Sequence, residues 1–280
     1  MKIWIVDAFT KTRFSGNPAG VCILEQGCDL DDKLMQSIAS EFRISEIAFV
    51  KHLNKQHYSI RWFTPNSEAP ICGHATVAAM HILTELGIEE KGIYIKFDSI
   101  SGPLSAIKDF NGLITLNFPS YKLNSITDHT MCLRFNEIVG GIRPIEFLCD
   151  ENCVVMRFTD PSVVQDLKPN FTLLSKEQCR ALVVTSIARP LFYDCDFVFR
   201  YFAPKVDIDE DDVCGSAHCR LTPYWSGIMN KEFFISRALS KRGGVVYSNV
   251  VNDRVMISGY AVTVFLVEYL QRTDNHIATL

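Results

Sequence analysis

The sequence predicts an α+β protein made of two related halves, on three observations. Short β-branched and aromatic runs outnumber helical patterns along all 280 residues, which favours strands over alternating parallel units. The length is roughly twice the ~150 residues of a common domain. A strand end and a turn also recur about half a chain apart. Arg61-Trp62-Phe63-Thr64-Pro65 precedes Cys72-Gly73-His74-Ala75, and Arg200-Tyr201-Phe202-Ala203-Pro204 precedes Cys214-Gly215-Ser216-Ala217. An offset of about half the chain is what a duplicated domain would give.

In chain order, Lys2 to Val6 and Val21 to Leu24 are strand-like runs, separated by the turn-rich stretch from Phe14 to Gly20. Leu30 to Phe42 carries Leu34, Ile38 and Phe42 at helical spacing, and Asp29, Asp31 and Asp32 are placed to cap it. Ile47 to Val50 and Tyr58 to Phe63 read as strands. Gly73 to Leu86 reads as a helix closed by Gly87. Ile93 to Phe97, Ser101 to Lys108 and Leu113 to Phe118 follow as strands. Residues 120 to 135 are polar and poorly periodic, suiting a crossover that divides the chain into 1–122 and 123–280. The C-terminal strand is free to complete the first half. In the second half, Val154 to Phe158, Ala181 to Val184 and Phe197 to Phe202 read as strands. Ala217 to Trp225 reads as a helix limited by Pro223. Phe233 to Leu239, Gly244 to Asn249, Val255 to Ile257 and Ala261 to Tyr269 close the chain as strands.

Hydrophobic residues at 48% and charged residues at 21% describe an ordinary globular protein. A net charge of -4 without a basic stripe argues against nucleic acid as a partner. The apolar run from Met1 to Val6 meets Asp7, too short for a signal peptide. No run approaches the roughly 18 apolar residues that span a bilayer, so no membrane partner is expected and the expected location is cytoplasmic. Thiols stay reduced there. Most of the 10 cysteines then read as small hydrophobes, including Cys22, Cys149, Cys153, Cys179 and Cys195.

Cys72 and Cys214 read differently because each opens a repeated turn. A helix N-terminus presents unpaired N–H groups and a partial positive charge, which suits a carboxylate. Gly73 and Gly215 let a ligand approach the backbone, and His74 and Ser216 add side-chain donors. Two such turns facing each other across an interface could hold a small carboxylate substrate and stabilise enolate-like charge. A thiol at such a terminus is also expected to have its pKa lowered, to about 3.5–7.5, and so to serve as a base.

Two carboxylate regions are candidate acids. Glu46 begins an apolar run, and burial there would raise its pKa and fit it for proton transfer at neutral pH. Asp209-Glu210-Asp211-Asp212 leads straight into the second turn. Cys72, His74, Cys214 and His218 match no zinc-finger or ribbon spacing, so no metal is expected. Neither a dinucleotide fingerprint nor a P-loop is present. Arg242-Gly243-Gly244 reads as a hairpin turn.

Taken together, several segments resemble the phenazine-biosynthesis isomerase (PhzF-like) family, related in fold to diaminopimelate epimerase. They are Asp7-Ala8-Phe9, Phe14 to Pro18, Ser45 to Val50, Cys72 to Thr76, Arg200 to Pro204, Gly215 to His218, Arg242 to Gly244 and Ser258 to Val262. The resemblance spans nearly the whole chain. It implies two halves, each a barrel-like strand layer around a central helix, and a cofactor-free isomerase that is a homodimer. It places the family's catalytic glutamate on Glu46, the assisting histidine on His74, and an acid and a serine on Asp211 and Ser216. Gly73, Gly215 and Ala75 would contact the substrate. The family's Asp-Pro-Val-Thr-Gly-Ser motif here reads Asp211-Asp212-Val213-Cys214-Gly215-Ser216. A cysteine on both turns is similar to the two-thiol racemases and epimerases, which makes a Cys72/Cys214 racemase the alternative. A catalytically silent binding or scaffold protein is the alternative of another class.

Overall fold

The computed structural model describes residues 1–25, 27, 29–189, 191–192 and 194–269. The end of the expected second half, residues 270–280, lies outside them. The chain begins β1 (Lys2–Ala8), β2 (Asn17–Leu24), α1 (Asp32–Phe42), β3 (Glu46–Asn54), β4 (His57–Phe63) and β5 (Glu68–Ala69). It continues with α2 (Gly73–Glu85), β6 (Tyr94–Ser99), β7 (Gly102–Lys108) and β8 (Ile114–Pro119). Then come β9 (Asn124–Ser125), α3 (His129–Ile138), β10 (Glu146–Cys149), β11 (Cys153–Phe158), α4 (Pro161–Asp166) and α5 (Phe171–Leu174). β12 (Ala181–Ile187), β13 (Phe197–Ala203), β14 (Ile208–Asp211), α6 (His218–Met229) and β15 (Phe233–Ala238) follow. β16 (Gly244–Val251), β17 (Arg254–Gly259) and β18 (Ala261–Glu268) complete the order.

The strand pairings repeat. In the first half β1 is antiparallel to β2, β2 parallel to β3, β3 antiparallel to β4, and β4 parallel to β6. In the second half β10, β11, β12, β13 and β15 follow the same sequence of directions. Antiparallel β6-β7-β8 and β15-β16-β17 extend each half, and β8 pairs with β17 to join them. β18 adds to β1 as β9 adds to β10.

α2 is the central helix of the first half. Every residue from His74 to Leu83 is buried, because small and apolar residues surround the whole helix rather than one stripe. It packs inside a layer formed by β1, β2, β3, β7, β8 and β18. Gly87, with φ +68°, follows its last turn as the sequence predicts. α1 starts two residues later than expected, where the Asp31 side chain accepts the Leu34 N–H at 2.7 Å.

Two readings of the second half need correction. Residues 120 to 135 contain β9 and the start of α3, capped by Asp128. The buried residues of α3 are Phe135 and Ile138, at the end of that window and beyond it, so the segment alone shows little periodicity. α6 is also not limited by Pro223; it runs on to Met229. Proline leaves the Cys219 carbonyl without its usual helical donor, and the Tyr121 N–H occupies it at 2.7 Å. The break in the helix ladder thereby anchors the crossover.

The seam between the halves centres on Phe9, which is fully buried and has φ +61°. An aromatic residue is costly in this left-handed region, so its surroundings must impose it. A Cβ on Gly259 would overlap the Phe9 ring, and one on Gly215 would come within 3.0 Å of its Cζ. The Val245 N–H donates to the Phe9 carbonyl at 2.9 Å. Arg242-Gly243-Gly244 does connect β15 to β16, but it is more than a turn. Arg242 donates to Asp7 Oδ1 at 2.6 Å and to the Gly16 carbonyl at 2.8 Å, across the two halves.

Candidate active site

Between the halves lies a cavity of about 290 Å³. The first half contributes Glu46, Cys72, Gly73 and His74; the second contributes Asp211, Cys214, Gly215 and Ser216. Both Cys-Gly turns therefore border one space. They are built differently. Cys72 caps the long helix α2, whereas Gly215–Ala217 forms a 3₁₀ turn before α6 begins. Gly73 is open enough that a Cβ would meet only the Phe118 ring, at 3.8 Å, whereas Gly215 is closed against Phe9. Ala75 does not border the cavity. It is fully buried in the first turn of α2, and its N–H is directed at the Cys72 sulfur.

Glu46 opens β3 and is 8% exposed. Its Oε2 is buried and lacks a well-aligned hydrogen bond, but His74 Nε2 lies 3.0 Å away. The other ring nitrogen of His74, Nδ1, is 3.5 Å from Cys72 Sγ. Burial opposes a charge on His74. The neighbouring Cys72 sulfur and Glu46 carboxylate outweigh it and hold the imidazole well above its ordinary pKa of 6.5. The imidazole is thus held between a carboxylate and a sulfur.

Asp211 reaches the same place from β14. Asn17 Nδ2 donates to its Oδ1 at 2.6 Å and to the Val213 carbonyl at 3.1 Å, and Ser45 Oγ donates to Asn17 Oδ1 at 3.3 Å. Burial raises the Asp211 pKa; the His74 charge opposes this and the Glu46 charge adds to it. Asp212, where the resembled motif has proline, is raised to about 6 by burial, with Arg242 opposing the shift. Of the acidic run, Glu210 turns instead to Arg200.

The expectation of lowered thiol pKa values is not met. Burial, reinforced by Glu46, pushes Cys72 up to about 11. Burial and the Asp211 charge push Cys214 well above the ordinary thiol value. A helix end gives only partial charge within its first turn, too little to offset complete desolvation and an adjacent carboxylate. Both thiols are accordingly neutral at pH 7.

His218 is outside any metal set. Its Nδ1 faces the Gly215 carbonyl at 3.2 Å and its Nε2 faces Ser236 Oγ at 2.6 Å. Burial lowers its pKa to about 4, so it is a neutral core histidine. Among the described residues, the group able to offer three ligand atoms to a cation is Glu46, Cys72 and His74, within 4.8 Å of one another. A cation there would have to displace the His74–Glu46 contact.

Other cavity residues carried little or no signal in the sequence. Cys153 is a buried thiol as expected, but it borders the cavity, as does Cys219. Arg220 also borders it, 5% exposed, with Nε on Asp150 at 2.6 Å and Nη1 on the Ser216 carbonyl at 3.3 Å. Arg180, Asn152, Tyr201 and Tyr121 complete that side. Asn17 sat within a quoted motif, and its bridge from the first half to Asp211 gives that motif a physical purpose.

Comparisons with known proteins bear on the family and the fold. Residues 6–266 match the family model described as phenazine biosynthesis-like protein. An uncharacterised isomerase of Halalkalibacterium halodurans is 41% identical, covering 96% of this chain and 98% of its own. The crystal structure of a PhzF-family phenazine biosynthesis protein from Enterococcus faecalis superposes with a TM-score of 0.87 at 34% identity, covering 96% of this chain and 99% of that one. A probable proline racemase from Agrobacterium radiobacter K84 shares the fold alone, with a TM-score of 0.60 at 12% identity over 98% of this chain and 94% of that one. By sequence match and by fold, this chain belongs to the phenazine biosynthesis-like family.

Proposed function

We propose that the protein is an isomerase that moves a proton between carbons of a small carboxylate substrate. The observation that carries this reading is the buried pair of Glu46 and His74, 3.0 Å apart at the cavity wall. Glu46, 3.0 Å from the His74 ring, removes a proton from carbon beside a double bond. The electron pair left behind delocalises through the double bond toward the substrate carboxylate. Backbone N–H groups at Gly73 and Gly215, with Ser216, receive that charge. Glu46 then returns the proton to a second carbon, so that the double bond has shifted and no atom is lost. Asp211, tethered by Asn17, works beside the pair and fixes the substrate against it. These side chains supply all the chemistry, and no cofactor is part of the reading. A cytoplasmic setting, where thiols stay reduced, is part of this reading.

A second reading uses Cys72 and Cys214 as opposed bases of a racemase, favoured by their positions on both sides of one cavity. Both thiols are held neutral, which favours the carboxylate. Incubation in deuterium oxide with a panel of cyclic enoic acids and amino acids separates the two. The expected result is deuterium at carbon of a turned-over substrate, abolished by Glu46→Gln and only weakened by Cys214→Ser. The opposite ranking would transfer the role of base to the thiols. No exchange with any probe would favour a silent binding protein.

A further inference from the structure

The strand registers fix which residues of the two halves correspond. Phe49 lies opposite Arg61, and Val184 lies opposite Arg200. Counting back along β3 and β12 sets Glu46 against Ala181, and Ser45 against Arg180. On the short strands, Ala69 faces Trp62 as Asp211 faces Tyr201. The repeated turns set His74 against Ser216. The place that holds an acid–base pair in the first half therefore holds an alanine and a serine in the second, with a guanidinium beside them.

Arg180 borders the cavity, and its backbone N–H is fixed to the Asn152 carbonyl at 2.7 Å. Its guanidinium makes no hydrogen bond or ion pair among the described residues. The other cations of the cavity are matched, His74 by Glu46 and Arg220 by Asp150. Arg180 is thus the one unmatched cation that borders the cavity among the described residues. Carboxylates are bound by guanidinium in a geometry that lysine does not reproduce. At about 290 Å³ the cavity admits only a small molecule, one able to reach both Glu46 and this wall.

We propose that Arg180 is the specificity-determining residue of the cavity and receives a second carboxylate, so that the substrate is a small dicarboxylate. The inference rests on reading the cavity as the isomerase site, in which the two Cys-Gly turns take the first carboxylate. Calorimetric titration of the full chain with cyclohex-1-ene-1-carboxylate and cyclohex-1-ene-1,2-dicarboxylate tests it directly. The dicarboxylate is expected to bind about tenfold more tightly, the worth of one charge-assisted contact. Arg180→Gln is expected to remove that preference without weakening the monocarboxylate, and Arg180→Lys to restore part of it. Arg180 is exposed, so these variants leave the core intact. Glu46→Gln is expected to keep the preference, which separates failure of the proton shuttle from failure of anion selection. Equal affinities in the wild type, undetectable binding of the dicarboxylate, or a preference that survives Arg180→Gln would overturn the proposal.

Discussion

The two halves keep the same clamp and differ in the same places. In the first, Arg61 grips Glu68 with two hydrogen bonds of 2.8 Å; in the second, Arg200 grips Glu210 at 2.6 and 2.9 Å. Each clamp fastens a short strand, β5 or β14, against the strand that carries the arginine. Each short strand then delivers the chain to a Cys-Gly turn. Around this shared frame, Glu46, His74 and Asp211 correspond to Ala181, Ser216 and Ala69. The clamp occurs twice, whereas the glutamate, histidine and aspartate of the proposed acid–base site occur together once, on one wall of one cavity. A symmetric pair of thiols does not change this, because burial keeps both neutral.

The largest expected effect comes from making the first turn resemble the second. His74→Ser removes the cation beside Glu46 and is expected to lower carbon–deuterium exchange by about 10²–10⁴-fold, the range of general acid–base catalysis. A stability readout accompanies it. Because the folded-state pKa of His74 is raised, its pairing stabilises the protein fully below about 6.5 and is lost as pH rises through the raised value. The wild type should therefore lose unfolding free energy over that interval, and the variant should not. Equal pH profiles would show that the pair is not charged in the folded protein.

How much of this asymmetry the sequence displayed depends on the residue. The clamp arginines and the Cys-Gly turns were legible because they repeat as short words. Their glutamate partners were not, since Glu68 lies 7 residues beyond its arginine and Glu210 lies 10 beyond. Glu46 was locatable through its motif, but nothing local placed it beside His74; that follows from β3 running past the end of α2. Phe9 illustrates another limit. A positive φ is imposed by three-dimensional packing, here by glycines as distant as Gly215 and Gly259. Arg180 was invisible for a related reason, since its significance lies in the register of β12 and not in its neighbours. Composition could never have found it.

The clamps themselves offer the next contrast. Arg200 has a side chain 11% exposed and also donates to the carbonyls of Val164, Gln165 and Leu167. Arg61 is 34% exposed, and its further partner, Asp32, is exposed as well. Arg200→Ala strands Glu210 and three carbonyls, and is expected to cost about 3–5 kcal/mol. Arg61→Ala is expected to cost about 1 kcal/mol, as a largely solvated pair does. Denaturant unfolding of both variants checks the difference. Equal costs would mean that the two clamps, alike in geometry, are also alike in energetic role.

The smallest expected effect distinguishes the two thiols. Serine replaces a neutral thiol with a neutral hydroxyl, so a residue that never ionises in the cycle should tolerate the exchange. Cys214 touches Ser216 Oγ at 3.4 Å, and Cys214→Ser is expected to reduce deuterium exchange by about twofold to threefold. Cys72 touches the His74 ring at 3.5 Å, and Cys72→Ser is expected to reduce it by about fivefold by loosening the imidazole that faces Glu46. The inequality matters more than either number. A two-base racemase needs both thiols to ionise and would lose its activity through either substitution, whereas a carboxylate mechanism feels each thiol only through what it touches. Rates of the two variants on one substrate therefore decide whether the symmetry of the cysteines belongs to the reaction or to the fold.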